Sequence, residues 1–261
     1  MMIWRDGVLI EQSDADAADR GAYLGDGLFE TILWSRGRAV RLPRHLARLT
    51  ASAEALGFAR PDLAGIENAF SDLAQAHQLE DGVINLRLSA QGPRGLDRQS
   101  NSATLSARIS PFTPNASPLT LATVTIRRNE SAPSSRHKTL SYIDQIAARR
   151  EARALGADEA LQLNTAGNLA CAAAGNLIFI LDGRALTPKV TDGALPGTVR
   201  AELLERALIS ETTITPKDAK RATTIAITNA TFGVRAASAW DGHALDQAHP
   251  LLAALRAAIE S

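Results

Sequence analysis

Of the 28 basic residues in this 261-residue chain only four are lysines, Lys138, Lys189, Lys217 and Lys220, so a lysine in place of an arginine carries chemical content. Lys138 follows the loop segment SAPSSRH and precedes a predicted helix, a place from which one side chain can be aimed into a cleft. An amine there can condense with an aldehyde cofactor and later act as a general base, a task closed to arginine, which never deprotonates. The same place also suits a solvated lysine at a helix start. Ala194-Leu195-Pro196-Gly197-Thr198-Val199-Arg200 sets a glycine-containing loop before a helix, whose free N–H groups could cup a phosphate or simply follow a turn and cap. Arg48, in His45-Leu46-Ala47-Arg48, could fork onto a phosphate from a helix or face solvent. Gly92-Pro93-Arg94-Gly95 puts an arginine on a loop between strands, suited to clamping a substrate carboxylate or to serving only as a hairpin loop.

The elements that must position these residues read as an α+β or α/β arrangement in two domains. Strands over residues 3–5 and 8–10 flank the turn Asp6-Gly7, and strands over 28–34 and 39–42 flank Ser35-Arg36-Gly37-Arg38. Pro43 opens a helix through Leu56, with Leu46, Leu49, Ala53 and Leu56 at helical spacing and Gly57 ending it. A second helix is predicted over 61–79, then strands over 83–90 and 103–109. Residues 110–118, SPFTPNASP, resist helix and central strand alike and read as a linker. The expected division is an N-terminal α/β domain, 1–113, and a C-terminal cofactor-binding α/β domain, 114–261. In the latter, strands are predicted over 119–126, 159–163, 169–172, 177–181, 223–228 and 235–240, and helices over 141–155, 198–208 and 250–259.

Composition removes several classes of function. Lys plus Arg and Asp plus Glu both total 28, so no bulk field gathers nucleic acid or an anionic membrane. The N-terminal segment alternates like a strand and carries no signal-peptide pattern, and no apolar run approaches a membrane span, which predicts a cytoplasmic protein. The lone Cys171 excludes a disulfide framework, and the five histidines are scattered singly, so no metal is expected. Small molecules are the expected partners.

Taken in order along the chain, these stretches resemble the class IV aminotransferase family, which includes branched-chain aminotransferases, D-amino-acid aminotransferases and aminodeoxychorismate lyases. Residues 19–31, DRGAYLGDGLFET, resemble its glycine-rich entry into a strand, and His45-Leu46-Ala47-Arg48-Leu49 resembles the helix whose arginine binds cofactor phosphate. Lys138-Thr139-Leu140-Ser141-Tyr142 resembles its lysine segment, and Leu195-Pro196-Gly197-Thr198-Val199-Arg200 its phosphate cup. The resemblance implies a two-domain fold type IV enzyme, similar to D-amino-acid aminotransferase, with pyridoxal 5'-phosphate as cofactor and Lys138 as the Schiff-base residue. It further implies a homodimer taking a small amine or amino-acid substrate. By the same resemblance Arg48, Tyr142, Cys171, Asn176, Leu195, Thr198, Val199, Asn229 and Ala230 bind the cofactor, and Phe29, Thr31 and Arg94 meet the substrate. Glu30 is expected to face the cleft beside Thr31. Tyr142 could reach the cofactor's phenolic oxygen or pack in the core.

Two features bear on the subfamily. Thr228-Asn229-Ala230-Thr231-Phe232-Gly233-Val234-Arg235 resembles the TNSLxGxRP stretch of aminodeoxychorismate lyases, although Ala236 stands where those carry proline. Phe29 and Leu96 stand where D-amino-acid aminotransferases carry tyrosine and histidine. The resemblance therefore implies a lyase of folate biosynthesis that releases pyruvate from 4-amino-4-deoxychorismate to give 4-aminobenzoate, with amino transfer on D-amino acids or another small donor as the alternative. Cys171 occupies the place where the family carries a glutamate that keeps the cofactor's pyridine nitrogen protonated, a task a thiol performs poorly.

Overall fold

The computed structural model describes residues 2–11, 19–97 and 101–260. Its contacts divide the chain into two compact units, Met1–Pro114 with Lys138–Ser141, and Asn115–His137 with Tyr142–Ser261.

The first unit comprises β1 (Met2–Arg5), β2 (Val8–Glu11), α1 (Arg20–Leu24), β3 (Gly27–Ser35), β4 (Arg38–Ala39), α2 (Leu42–Ala55), α3 (Ile66–Ala76), β5 (Gly82–Ala90) and β6 (Ala103–Pro111). The strands form an antiparallel sheet in the order β2-β1-β6-β5-β3-β4. Asp6-Gly7 and Arg36-Gly37, all at positive φ, close its two tight hairpins. Alternation sends Leu28, Ile32 and Trp34 of β3, Ile84, Leu86 and Leu88 of β5, and Leu105, Ala107 and Ile109 of β6 to one face. There they pack with Leu42, Leu49 and Ala53 of α2 and Phe70 and Leu73 of α3, each large apolar side chain contributing about 1.5–3 kcal/mol by leaving water.

Three elements of the first unit differ from the sequence expectation, the first being β4, which covers Arg38–Ala39 rather than 39–42 because Leu42 already opens α2. The helix expected from residue 61 begins at Ile66, because Gly65 sits at φ 69 and breaks the helical backbone before it. The glycine-rich entry to β3 contains the short α1, capped by the Asp19 side chain and closed by Gly25 in the left-handed region.

The position of residues 138–141 also departs from a division placed near residue 114. Phe29 N donates to Lys138 O at 2.9 Å and Leu140 N donates to Gly27 O at 2.9 Å, so this tetrapeptide lies antiparallel along β3 and joins the first unit. The physical reason is the exposed backbone of β3 there. Its other neighbour on that edge, β4, pairs only at Trp34 and Ser35, leaving N–H and C=O groups near Gly27 that need partners.

The second unit holds β7 (Leu119–Thr123), α4 (Pro133–Arg136), α5 (Ile143–Ala154), β8 (Glu159–Leu163), β9 (Leu169–Ala172), β10 (Asn176–Leu181), β11 (Arg184–Pro188), α6 (Thr198–Glu205), β12 (Ser210–Thr212), α7 (Pro216–Ala219), β13 (Thr224–Asn229), β14 (Gly233–Trp240), β15 (His243–Ala244) and α8 (Pro250–Glu260). Its mixed sheet runs β12-β11-β10-β13-β14-β7-β8-β9, with β15 paired to β14. β8, β9 and β10 are buried along their whole length, the pattern of strands covered on both faces. Among the described residues no helix is long and apolar enough to cross a membrane.

An ideal Cβ on Gly27 would lie 2.5 Å from Leu140 Cδ1 and 2.6 Å from Leu88 O. Gly27→Ala is therefore expected to loosen the 138–141 pairing and lower stability by about 1–3 kcal/mol, read as a fall in the urea midpoint. An unchanged midpoint would mean that this close approach is not tight in solution.

Candidate active site

β3 presents two rows. Phe29 and Thr31 are half-buried on one face, while Leu28, Glu30 and Ile32 are buried on the other. Lys138 Nζ stands 4.1 Å from the centroid of the Phe29 ring, a cation–π distance, in register with the backbone bond that ties residue 138 to Phe29. Thr31 lies opposite Asn85 on β5.

Glu30 does not share the row of Thr31 as a residue facing the same cleft would. It points into the core against α2, where its carboxylate takes three donors: His45 Nδ1 at 2.7 Å, Arg48 Nε at 2.8 Å and an Arg48 terminal nitrogen at 2.5 Å. The strand alternates strictly, so neighbours cannot face the same way. Burial would raise the Glu30 carboxyl, but the Arg48 guanidinium and the His45 ring N–H outweigh it and hold it below the usual carboxylate range. Burial pushes His45 down despite Glu30, with Arg48 and Lys138 adding to the fall, so at neutral pH the ring is neutral with Nδ1–H on Glu30. His45 Nε2 is then a buried acceptor without a hydrogen-bond partner.

The Arg94 loop is held from beneath by a residue that the sequence reading passed over. Arg20 is buried in α1 and donates to Pro93 O at 2.7 Å and Gly95 O at 2.9 Å, the carbonyls on either side of Arg94, while its Nε donates to Asp26 at 2.8 Å. Arg94 itself is exposed, 6.0 Å from the Tyr23 ring centroid. Asp19, which caps α1, also accepts from Arg87 at 2.8 Å and from the Ser89 hydroxyl.

In the second unit the candidate phosphate cup is well made. α6 starts at Thr198 after Gly197, and no side chain caps its N-terminus, which leaves the first amides for a ligand. Asn176 Nδ2 donates to Leu195 O at 2.7 Å and holds the preceding loop. A Cβ on Gly197 would collide with Asn176 Oδ1, so any larger residue there would displace the Asn176 side chain from its bond to Leu195 O. Thr198 and Val199 are buried. Tyr142 is half-buried immediately before α5.

Asn229 spends its side chain on the fold. Its oxygen accepts from Thr231 N, Thr231 Oγ1 and Phe232 N, each at 3.0 Å, and its amide donates to Ala174 O at 3.1 Å. It thereby shapes the turn that carries the half-buried Ala230.

Cys171 is buried on β9 directly opposite Gln162 of β8, and its Sγ lies 3.8 Å from Gln162 Oε1. Gln162 Nε2 donates to Ile126 O, which turns Oε1 toward the thiol. Burial pushes the thiol above its ordinary range; Arg128 opposes the shift and Glu159 adds to it. Position 171 therefore carries a neutral S–H near neutral pH rather than an anion. The first unit thus offers an amine beside an aromatic ring and a clamped arginine loop, and the second a helix-terminus anion site.

The family model for amino-transferase class IV matches residues 27–240. A protein of Methanocaldococcus jannaschii assigned as a branched-chain-amino-acid aminotransferase is 27% identical over 215 residues, covering 79% of this chain and 75% of its own. The bifunctional aminodeoxychorismate lyase / D-amino acid transaminase of Mycobacterium tuberculosis is 30% identical over 213 residues, 73% of this chain and 72% of its own. The crystal structure of 4-amino-4-deoxychorismate lyase from Pseudomonas aeruginosa superposes with a TM-score of 0.85 at 28% identity, covering 98% of this chain and 97% of that one.

The Glu30–His45 pair predicts an acid-side loss of stability with a definite sign. As pH falls through about 6.5 the unfolded chain protonates its histidine before the folded one does, and below the ordinary carboxyl value Glu30 adds a second loss. Urea midpoints should fall between about pH 7 and 4. His45→Asn should remove the upper part of that fall, and identical pH curves for the two proteins would refute it.

Proposed function

The chain belongs to the class IV aminotransferase family, fold type IV enzymes whose cofactor is pyridoxal 5'-phosphate, and from this premise we propose that it is a lyase releasing pyruvate from 4-amino-4-deoxychorismate to leave 4-aminobenzoate. The observation that carries the choice within the family is the buried neutral thiol of Cys171.

Pyridoxal phosphate, when bound, supplies a sink for the electron pair released at the carbon that bears the substrate amine. In this reading Lys138 Nζ would hold the cofactor, and its free amine would take the proton from that carbon. The amides of Thr198 and Val199 would bind its phosphate, and by the family resemblance the Arg48 guanidinium would serve as a phosphate ligand. Arg94, on its loop held by Arg20, orients a substrate carboxylate. The overall change balances without water or an oxidant. One proton leaves the amine-bearing ring carbon, the ring carbon–oxygen bond to the enolpyruvyl group breaks with its electron pair going to oxygen, and the released enolate takes up a proton on carbon to become pyruvate.

Aromatisation of the ring supplies much of the driving force, so this reaction tolerates a weak electron sink. Amino transfer has no such assistance and depends more on a protonated pyridine nitrogen, which a neutral thiol does not stabilise. Amino transfer on D-amino acids or another small donor is the second reading, favoured by the transaminase half of the Mycobacterium tuberculosis relative's name. A homodimer is part of either proposal.

The test is a coupled assay of the cofactor-loaded protein with aminodeoxychorismate, following pyruvate and 4-aminobenzoate together. Stoichiometric release of both is expected. Release of neither, with an amino-acid panel converting the cofactor to its amine form, would transfer the assignment to the second reading. Cys171→Glu is expected to speed half-reactions with amino acids; rates equal to those of the parent would show that position 171 does not set the balance.

A further inference from the structure

Along the inward row of β3, Leu28, Glu30, Ile32 and Trp34 are all buried, and Glu30 is the charged exception. A buried carboxylate costs several kcal/mol unless its partners match it closely. The ion pair with Arg48 meets part of that need. The protein adds His45, fully buried, with one ring nitrogen on the carboxylate and the other without a hydrogen-bond partner. This expensive arrangement calls for a reason beyond charge balance.

The geometry supplies one. His45 and Arg48 lie three residues apart on α2, so they share one helix face. Arg48 is met on its Nε side by both carboxylate oxygens, a two-point grip that fixes the plane of the guanidinium. His45 Nδ1 donates to Oε2, the oxygen that also receives the terminal nitrogen of Arg48, and so fixes the rotation of the carboxylate itself. The order of control runs from His45 to Glu30 to Arg48.

We propose that Glu30 and His45 are positioning residues for Arg48, holding its guanidinium in the single orientation in which it meets the cofactor phosphate. This rests on the assignment of Arg48 as a phosphate ligand. The charged groups facing the pair are Arg48 from α2 and Lys138 from the segment along β3. The alternative role, neutralising the charge of Arg48, makes the opposite prediction for Glu30, because removing the carboxylate would then strengthen phosphate binding.

The experiment compares pyridoxal phosphate with pyridoxal, which lacks the phosphate, as ligands of the full-chain apoprotein, using equilibrium titration at neutral pH. The readout is the ratio of the two affinities, which a general loss of structure lowers for both ligands alike. Arg48→Met should collapse the preference for the phosphorylated ligand. Glu30→Gln and His45→Leu should each reduce it by about tenfold, the scale of one charge-assisted hydrogen bond, with pyridoxal binding unchanged. His45→Asn, which can keep a donor near the Nδ1 position, should restore it. Loss of preference in Arg48→Met but not in Glu30→Gln or His45→Leu would overturn the positioning role and leave the phosphate assignment standing. A raised preference in Glu30→Gln would overturn it in favour of charge neutralisation, and parallel loss of both ligands would overturn it in favour of a purely structural role. An unchanged preference in Arg48→Met would remove the phosphate assignment and the proposal with it.

Discussion

The pairing of Lys138–Leu140 with the open edge of β3 is the constraint on which the candidate site depends. Backbone groups near Gly27 must find partners, and the returning tetrapeptide provides them through two bonds of 2.9 Å. This fixes the backbone of Lys138 beside Phe29 before any side chain is considered, and the ring then gives Nζ a defined neighbour. The same pairing dictates small residues in the facing chain. Side chains at Gly21 and Gly27 would strike Leu140, and one at Gly25 would meet the Ser141 hydroxyl. The glycines of residues 19–31 therefore serve the placement of an amine that lies more than a hundred positions away in sequence.

Buried charge shows how differently the two units treat their carboxylates. Glu30 is held below the usual range because a guanidinium and an imidazole N–H together exceed the cost of burial. Glu159 is raised, because burial exceeds the effect of Arg149 and of the amides of Ala160 and Ala173 that it accepts. Near Cys171 the first charged influence after burial is the cation Arg128, which is itself fastened to Gly193 O at 3.2 Å and Ser134 O at 2.9 Å. The surroundings of position 171 thus hold a fixed positive charge and a neutral thiol.

Much of this was legible in the sequence wherever local chemistry decides the outcome. Asp6-Gly7, the Pro43 start of α2, Gly57 after it and the loop before Thr198 all signal through residues whose backbone preferences are strong. The resemblance of the lysine and phosphate-cup segments carried the family. What escaped depends on tertiary pairing. That residues 138–141 join the first unit follows from an unfilled strand edge, which no window of sequence displays. β11 escaped although Asp182-Gly183, both at positive φ, close its hairpin with β10, since a strand ending in Pro188 reads poorly as one. Glu30 was misjudged because a carboxylate in a strand suggests the polar face; only its two partners on α2 make the core face tolerable. Arg20 was missed for a related reason, since a buried arginine is recognisable only once the carbonyls it serves are in place.

Cys171 then gains meaning from its neighbours rather than from its identity alone. A thiol could approximate a carboxylate if its surroundings drew off the proton, as cations and helix N-termini do for reactive cysteines. Here the strongest influence acts the other way: burial keeps the proton on sulfur, Glu159 reinforces it, and Gln162 Oε1 is placed to receive the S–H. Arg128 is too small a counterweight to reverse the direction. The chain thus carries Lys138, the uncapped start of α6 and the Arg94 loop held by Arg20 together with a neutral thiol at 171. Under the proposed lyase reaction, the aromaticity of the product would stabilise what a weaker electron sink does not.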